Sequence, residues 1–469
     1  MTSITHVCVT PTHSTLSRCG TIESVNRLSR RSILALPAVA ALRAQNDEDF
    51  HVYTEHPRLF LPARRLRLLQ RERERTSVRW QQFETLVAGK VEMPEPGLAW
   101  GLYGLLAKNE EFTGKAIGWA LKATDVRQLA LVYDWAQASL KEPESIALKA
   151  KLAKLLASPP TSRRIPTMRD RAFAAVILGG EAGKRELEAI VKNWWRSEIA
   201  PALKAGKFRY TREESHALFE LLHAVRDNTN IDLREDAAKY FKELPAYHIL
   251  SYYPATFPAP ENEYRIPFYE GNGEPDLRIA ALSRATDLAM VAFDTNAQET
   301  QFVQGWLIHD RFLMRGAFGI PYELLWANPY QPGLSYYHLP LAMHQSTAGR
   351  LVLRSSWEDD ASWFHFGDGK VQVFEEGARK DRSMKSPAPI DIAGTVVYFG
   401  RDNMEFKVDS DELQNIYVIG LEPKTAYDAE LDDHEITEHT TDAGGILNFQ
   451  FTKEGDRTVR LHKPFRAKS

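Results

Sequence analysis

From about residue 62 to residue 312 the chain is a run of helix-length segments whose apolar positions keep helical spacing. The first runs from Pro62 towards Val87, with Leu66, Leu69, Trp80, Phe83 and Leu86 on its apolar side. Further segments are expected at 98–107, 111–122, 126–140, 142–156, 168–177, 186–204, 212–226, 233–244, 277–293 and 298–312. Pro94, Pro96, Pro159, Pro160, Gly179, Gly180, Gly206 and Pro245 punctuate them. Short helices on short links pair antiparallel, and many such hairpins can close into a ring. No repeat of fixed period runs through the region, which disfavours a solenoid.

After Pro321 the texture changes. Residues 321–340, rich in Pro and aromatics, read as a connector. Strand patterns follow at 349–357, 362–366, 370–374, 395–399, 415–420, 446–451 and 458–462, with Gly and Asp turns between them. The expected organisation is α then β: a helical (α/α) toroid over 45–320 and a small antiparallel β-sandwich over 341–469.

Residues 1–44 differ from both. Ser29-Arg30-Arg31-Ser32 precedes a short apolar run ending near Leu42, with Ala44 beyond it. Paired arginines before a modest apolar run predict a twin-arginine export signal and a periplasmic or extracellular destination. The run is about half the ~20 residues a bilayer span needs, so no membrane anchor is expected after cleavage. Cys8 and Cys19 both fall in this leader, leaving the mature chain without thiol or disulfide chemistry. Five of the 59 basic residues and one of the 62 acidic ones lie there too, so cleavage takes the net charge from −3 to −7. A mildly acidic chain argues against a nucleic-acid partner, because neutralising phosphates needs a basic face. No phosphate-binding glycine loop, nucleophile elbow or Cys/His metal box is present, and no cofactor or metal is expected.

The stretch from Ser251 to Asp276 holds Pro254, Pro258, Pro260, Pro267 and Pro275, which forbid a helix and imply a long extended loop. Six tyrosines or phenylalanines stand there beside Glu261, Glu263, Arg265 and Glu270. Aromatic faces among carboxylates and an arginine suit a sugar ring; the competing reading is that they pack the loop onto the body.

Three stretches, His56-Pro57-Arg58-Leu59, Val132-Tyr133-Asp134-Trp135 and Arg354-Ser355-Ser356-Trp357, resemble the heparinase II/III-type polysaccharide lyases. The resemblance runs from about residue 55 to 375. It implies an incomplete (α/α) toroid with an antiparallel β-sandwich, export, and β-elimination on uronate polysaccharides. The family's β-domain histidine stretch has no counterpart, since Phe374 to Met384 contains no histidine.

A uronate lyase needs a base, a group that neutralises the carboxylate, and an acid for the leaving oxygen. Tyr264 and Tyr269 are the candidate bases, His216 a candidate neutraliser, Glu270 a further catalytic candidate and Arg265 the carboxylate partner. Asn272, Asp276, Trp326, Tyr336, Tyr337 and His338 complete a polysaccharide- or oligosaccharide-binding cleft built from the 251–276 loop and the connector. The competing reading places Tyr264 on the surface, with Arg265 paired to Glu261 or Glu263. A glycoside hydrolase using two of Glu270, Asp276 and Glu214 is the enzymatic alternative, and a non-catalytic glycan-binding scaffold the other. His216 and His223 lie seven residues apart, about 10 Å along a helix, too far to chelate one ion alone. Arg163, Arg164, Arg169 and Arg171 form a basic cluster that suits an anionic polymer or a solvated turn. Trp194 and Trp195 read as packing.

Overall fold

The computed structural model describes residues 48–208, 210–258, 263–269, 273–310, 314–385, 388–401, 403–408, 414–432, 434–451 and 457–464. The expected export signal, Glu270 and Asn272 lie outside these residues, and of Tyr264 only the backbone is described. Residues 49–469 form one compact unit.

The helices are α1 Ala63–Glu74, α2 Val78–Ala88, α3 Pro96–Ala107, α4 Glu110–Lys122, α5 Val126–Trp135, α6 Glu142–Ala157 and α7 Ile165–Leu178. They continue as α8 Gly180–Glu188, α9 Ala200–Lys204, α10 Arg212–Thr229, α11 Ala238–Leu250, α12 Leu277–Phe293, α13 Gln298–Asp310 and α14 Ile320–Trp326. A π-helical segment, Ala189–Ile199, joins α8 to α9. Six helices pack in a ring: α3 on α5, α5 on α7, α7 on α10, α10 on α12, α12 on α14, and the seven-residue α14 back on α3. Helices α2, α4, α6, α8, α11 and α13 pack outside it. The sequence dictates which is which. In the inner α5 every residue from Arg127 to Trp135 is buried, whereas the outer α6 buries only Leu148 and Leu152. Glycines on α3 let its neighbours close in: a Cβ at Gly97 would stand 2.5 Å from the Trp119 ring, and one at Gly104 2.9 Å from the Thr113 backbone nitrogen.

Two of the motifs quoted above lock together at the C-terminal end of α5. The buried Asp134 carboxylate accepts from the Arg58 and Leu59 backbone N–H groups at 2.7–2.8 Å and from His56 Nδ1 at 2.5 Å. Trp135 Nε1 donates to the Leu59 carbonyl. In the third motif, Arg354 donates to the Tyr252 and Ser356 carbonyls and lies over Trp357. All three stretches are staples of the fold.

The strands form three stacked sheets beyond the helices. The first, β3 Ala342–Gln345 to β7 Ala378–Arg382, is a five-stranded antiparallel meander. It turns Val352, Trp363 and Phe374 to the helical core and Leu351, Leu353, Phe364 and Phe366 to the next sheet. That middle sheet has the order β14-β11-β9-β8: Leu447–Phe451, Gln414–Ile419, Thr395–Phe399 and Ile390–Ile392. It is apolar on both faces, with Val397, Tyr417 and Ile419 towards the first sheet and Val396, Ile416 and Val418 towards the third. The third runs β10-β15-β12-β13: Asn403–Val408, Arg457–His462, Ala426–Leu431 and Glu435–Thr440. The α-then-β expectation holds, with one departure: β9 and β11 pair in parallel.

Several elements differ from the sequence-based expectation. The helix expected from 62 to 87 breaks at Thr76, whose φ is 46°, and Ser77 caps the new start by accepting from Trp80 N. The segment expected to reach Leu140 ends at Trp135. Pro245 sits inside α11 instead of ending it, in a helix that packs on β3 and β4. Residues 321–326, read as connector, belong to α14, the helix that closes the ring; Pro321 is tolerated because it lies in the first turn. The 251–276 stretch is a two-stranded ribbon, β1 Tyr252–Pro258 against β2 Glu263–Pro267, in place of a structureless loop. Its prolines are accommodated because each strand of an isolated pair keeps one unpaired edge.

Candidate functional site

The inner helices bring their N-termini to one rim. Glu95, Asp125, Arg164, Thr211 and Asp276 precede α3, α5, α7, α10 and α12. The first four, with Arg278 on α12 and Tyr322 on α14, line one polar cleft of about 650 Å³. The converging N-termini carry partial positive charge, which suits the acidic side chains gathered there.

The floor is an ion-pair network. Arg127 donates through Nε and Nη2 to both oxygens of the fully buried Glu220 at 2.7–3.1 Å, and through Nη1 to Glu95 at 3.1 Å. Arg169 Nη1 reaches the same Glu220 at 2.8 Å. Burial alone would raise the Glu220 carboxyl, but Arg127, His216 and Arg169 hold it down to about 2. Burial opposes the charge on Arg127, and Glu220, Tyr322 and Glu95 more than restore it. Tyr322 OH donates to the second oxygen of Glu95, and burial pushes its phenol well above its ordinary value.

His216 forms part of this floor. Its Nε2 accepts from Trp326 Nε1 at 3.3 Å, which leaves its proton on Nδ1, facing Glu220 at 3.9 Å. Burial lowers it to about 4, so the ring is neutral at pH 7. On the rim, Glu214 closes a capping box with Thr211 and accepts from Arg164 Nε at 2.9 Å. Glu213 is exposed and makes no hydrogen bond among the described residues.

Of the residues singled out from the sequence, His216, Glu214, Arg164 and Arg169 line this cleft. Asp276 stands at its edge, capping α12 by accepting from Arg278 N at 2.8 Å. The others lie elsewhere. Tyr269 donates to the Gly273 carbonyl, with Arg379 over its ring at 4.5 Å. Arg265 donates to Asp359 at 2.8 Å; Glu261 and the side chains of Glu263 and Tyr264, named with it from the sequence, lie outside the described residues. Trp326 is 1% exposed and packs against Phe60 and His223, so it presents no open face. Tyr336 is buried against Trp357, while Tyr337 and His338 are exposed beside it. Arg163 pairs with Glu198, and Arg171 with Glu186. Trp194 and Trp195 are core, donating to the Arg163 and Leu233 carbonyls. Glu95, Arg127, Glu220 and Tyr322 were not legible as a set, because they are scattered from 95 to 322; the available signal was an acidic residue just ahead of a helix, at Glu95-Pro96 and Asp125. Among the described residues no group of three or more His, Cys, Asp or Glu is arranged to hold a metal.

No family model and no curated protein matches the sequence. Among solved structures the chain is similar to a protein described as a glycoside hydrolase, at 10% identity and a TM-score of 0.31, over 88% of this chain and 77% of that one. It is similar also to a GH127 β-arabinofuranosidase, at 10% identity and a TM-score of 0.26, over 88% and 80% of the two chains. Likeness at that level bears on neither reaction nor substrate.

Proposed function

We propose that the protein is a carbohydrate-active enzyme that hydrolyses a glycosidic bond in the cleft at the inner-helix N-termini. The observation that carries this reading is the position of Glu95. It is anchored by Arg127 and Tyr322 in the same cleft as the exposed Glu213. A hydrolase needs two carboxyl groups, one to protonate the leaving oxygen and one to attack the sugar or activate water. Glu95, fixed on two partners, suits the second role; Glu213, exposed in the same cleft and without a hydrogen bond among the described residues, is the carboxyl group left for the first. A hydroxyl-rich substrate also matches the density of charged donors and acceptors around the cleft. The twin-arginine stretch supports a site of action outside the cytoplasm.

The β-elimination reading keeps one observation in its favour: Arg164 and Arg278 stand exposed on the rim, where a uronate carboxylate could be neutralised. It lacks a base. Tyr322 is held protonated, and the lone pair of His216 is taken by Trp326. The test is incubation with neutral and acidic glycans, following reducing ends and the ultraviolet absorbance of unsaturated uronate in parallel. New reducing ends without absorbance are expected, falling about 10²–10⁴-fold in Glu95→Gln. Absorbance that survives Glu95→Gln would move the assignment to elimination. Silence in both channels across the panel would leave no enzyme.

A further inference from the structure

A second cavity, of about 790 Å³, opens at the other end of the ring. Arg226, which lines it, lies 13 residues beyond Glu213 on the same helix, about 20 Å away along the axis. Its lining holds six arginines, Arg64, Arg65, Arg67, Arg71, Arg75 and Arg226, and no carboxylate among the described residues.

Two of the six are committed to the fold. Arg65 Nη1 donates to the Leu325 and Trp326 carbonyls at 2.8 Å, and Arg226 to the Phe293 carbonyl and to Asp227. The other four differ. Arg64, Arg67, Arg71 and Arg75 are exposed, and none makes an ion pair among the described residues. Arg64, Arg71 and Arg75 fall within about 20° of one line along α1, spanning roughly 16 Å, with Arg67 about 60° to the side. Like charges three and four residues apart destabilise a helix by about 0.2–0.5 kcal/mol per pair, and three such pairs occur here. The stripe therefore does nothing for α1 itself. The remaining wall supplies neutral hydrogen-bonding groups from Asn296, Gln301, Asn328 and Gln331, and the half-exposed ring of Tyr330, over which Arg75 lies at 5.9 Å.

We propose that this groove is a second ligand site that binds an anionic glycan, a chain bearing carboxylate or sulfate groups on a hydroxyl-rich backbone. The arginines supply the charge, bidentate and regularly spaced. The amides match hydroxyls, and Tyr330 offers a face to a sugar ring. Polyphosphate, which has neither hydroxyl-rich rings nor an apolar face, would use the first feature alone. The groove is separate from the catalytic cleft, so the proposal stands or falls independently of the reaction assigned there.

The test is fluorescence-polarisation binding of the full chain to a labelled oligogalacturonate and to a labelled sulfated dextran fragment. A neutral dextran and a polyphosphate of matched charge serve as comparisons. At least one acidic glycan is expected to bind more tightly than both comparisons, with affinity falling as salt rises. Arg67→Ser/Arg71→Ser should weaken that binding at least tenfold at low salt, with an unchanged melting temperature. Asn328→Ala/Tyr330→Ala should weaken the glycan but not polyphosphate. Glu95→Gln should leave binding at the groove intact. No binding of either acidic glycan, or equal binding by wild type and the arginine double variant, would overturn the site. Polyphosphate binding as tight as the glycans would overturn the glycan assignment.

Discussion

Asp134 and Glu220 are both buried carboxylates, and each organises what surrounds it. Asp134 gathers the His56 ring and two backbone N–H groups; an amide there would place its NH₂ against a donor. Asp134→Asn should cost roughly 3 kcal/mol in a urea melt, whereas an exposed carboxylate such as Glu213→Gln should cost under about 0.5 kcal/mol. Glu220 neutralises two buried guanidinium groups at once. Glu220→Gln leaves both without their counter-charge, and a loss of about 3–5 kcal/mol is expected by the same measurement. Asp134 stood out in the sequence within Val132-Tyr133-Asp134-Trp135, yet nothing local showed that its partner was the His56 stretch. Glu220 gave no signal, since an acidic residue inside an amphipathic pattern reads as a solvated face until the ring closes over it.

At the scale of elements, the inner helices depend on close approach. A Cβ at Gly104 would meet Thr113 Oγ1 at 2.5 Å and its backbone, while one at Gly114 on α4 would meet nothing within 4 Å. Gly104→Ala is therefore expected to destabilise by about 1–3 kcal/mol, as overpacking does. Gly114→Ala should stabilise by about 0.5–1 kcal/mol through helix propensity alone. Thermal melts of the two variants beside the wild type check both signs. Long amphipathic helices were legible because their period shows over three or more turns; α14 was not, because seven residues offer too few turns to display one. The β1/β2 ribbon was hidden by its prolines, which argue against a central strand but not against an isolated pair.

At the scale of the molecule, Val352, Trp363 and Phe374 from the first sheet belong to the same core as the inner helices. Helices and that sheet should unfold in one transition, with near- and far-ultraviolet circular dichroism superimposing. The shared interior also holds neutral histidines. Burial lowers His216 and His248 to about 4 and His365 to about 3. Their unfolded-state value is near 6.5, so below that pH the unfolded chain takes up protons that the folded chain refuses. Stability should fall as pH drops from about 6.5 to 4, by up to about 1.4 kcal/mol per pH unit for each histidine. Glu220 works in the same direction lower down: its contribution is present above about 4.5 and is lost as pH falls towards 2. Urea midpoints measured from pH 7 to pH 4 test the first window.

That long helices come first and strands follow was determined by the sequence alone, because the period of the apolar pattern and the Pro and Gly breaks are local properties of the chain. Which carboxylates and arginines meet was decided only by closure of the ring, which brings residues from 95 to 322 to one rim. The same closure sends the arginine stripe of α1 to the opposite end. Charge by itself carries no address; six helices packed parallel around one axis supply it.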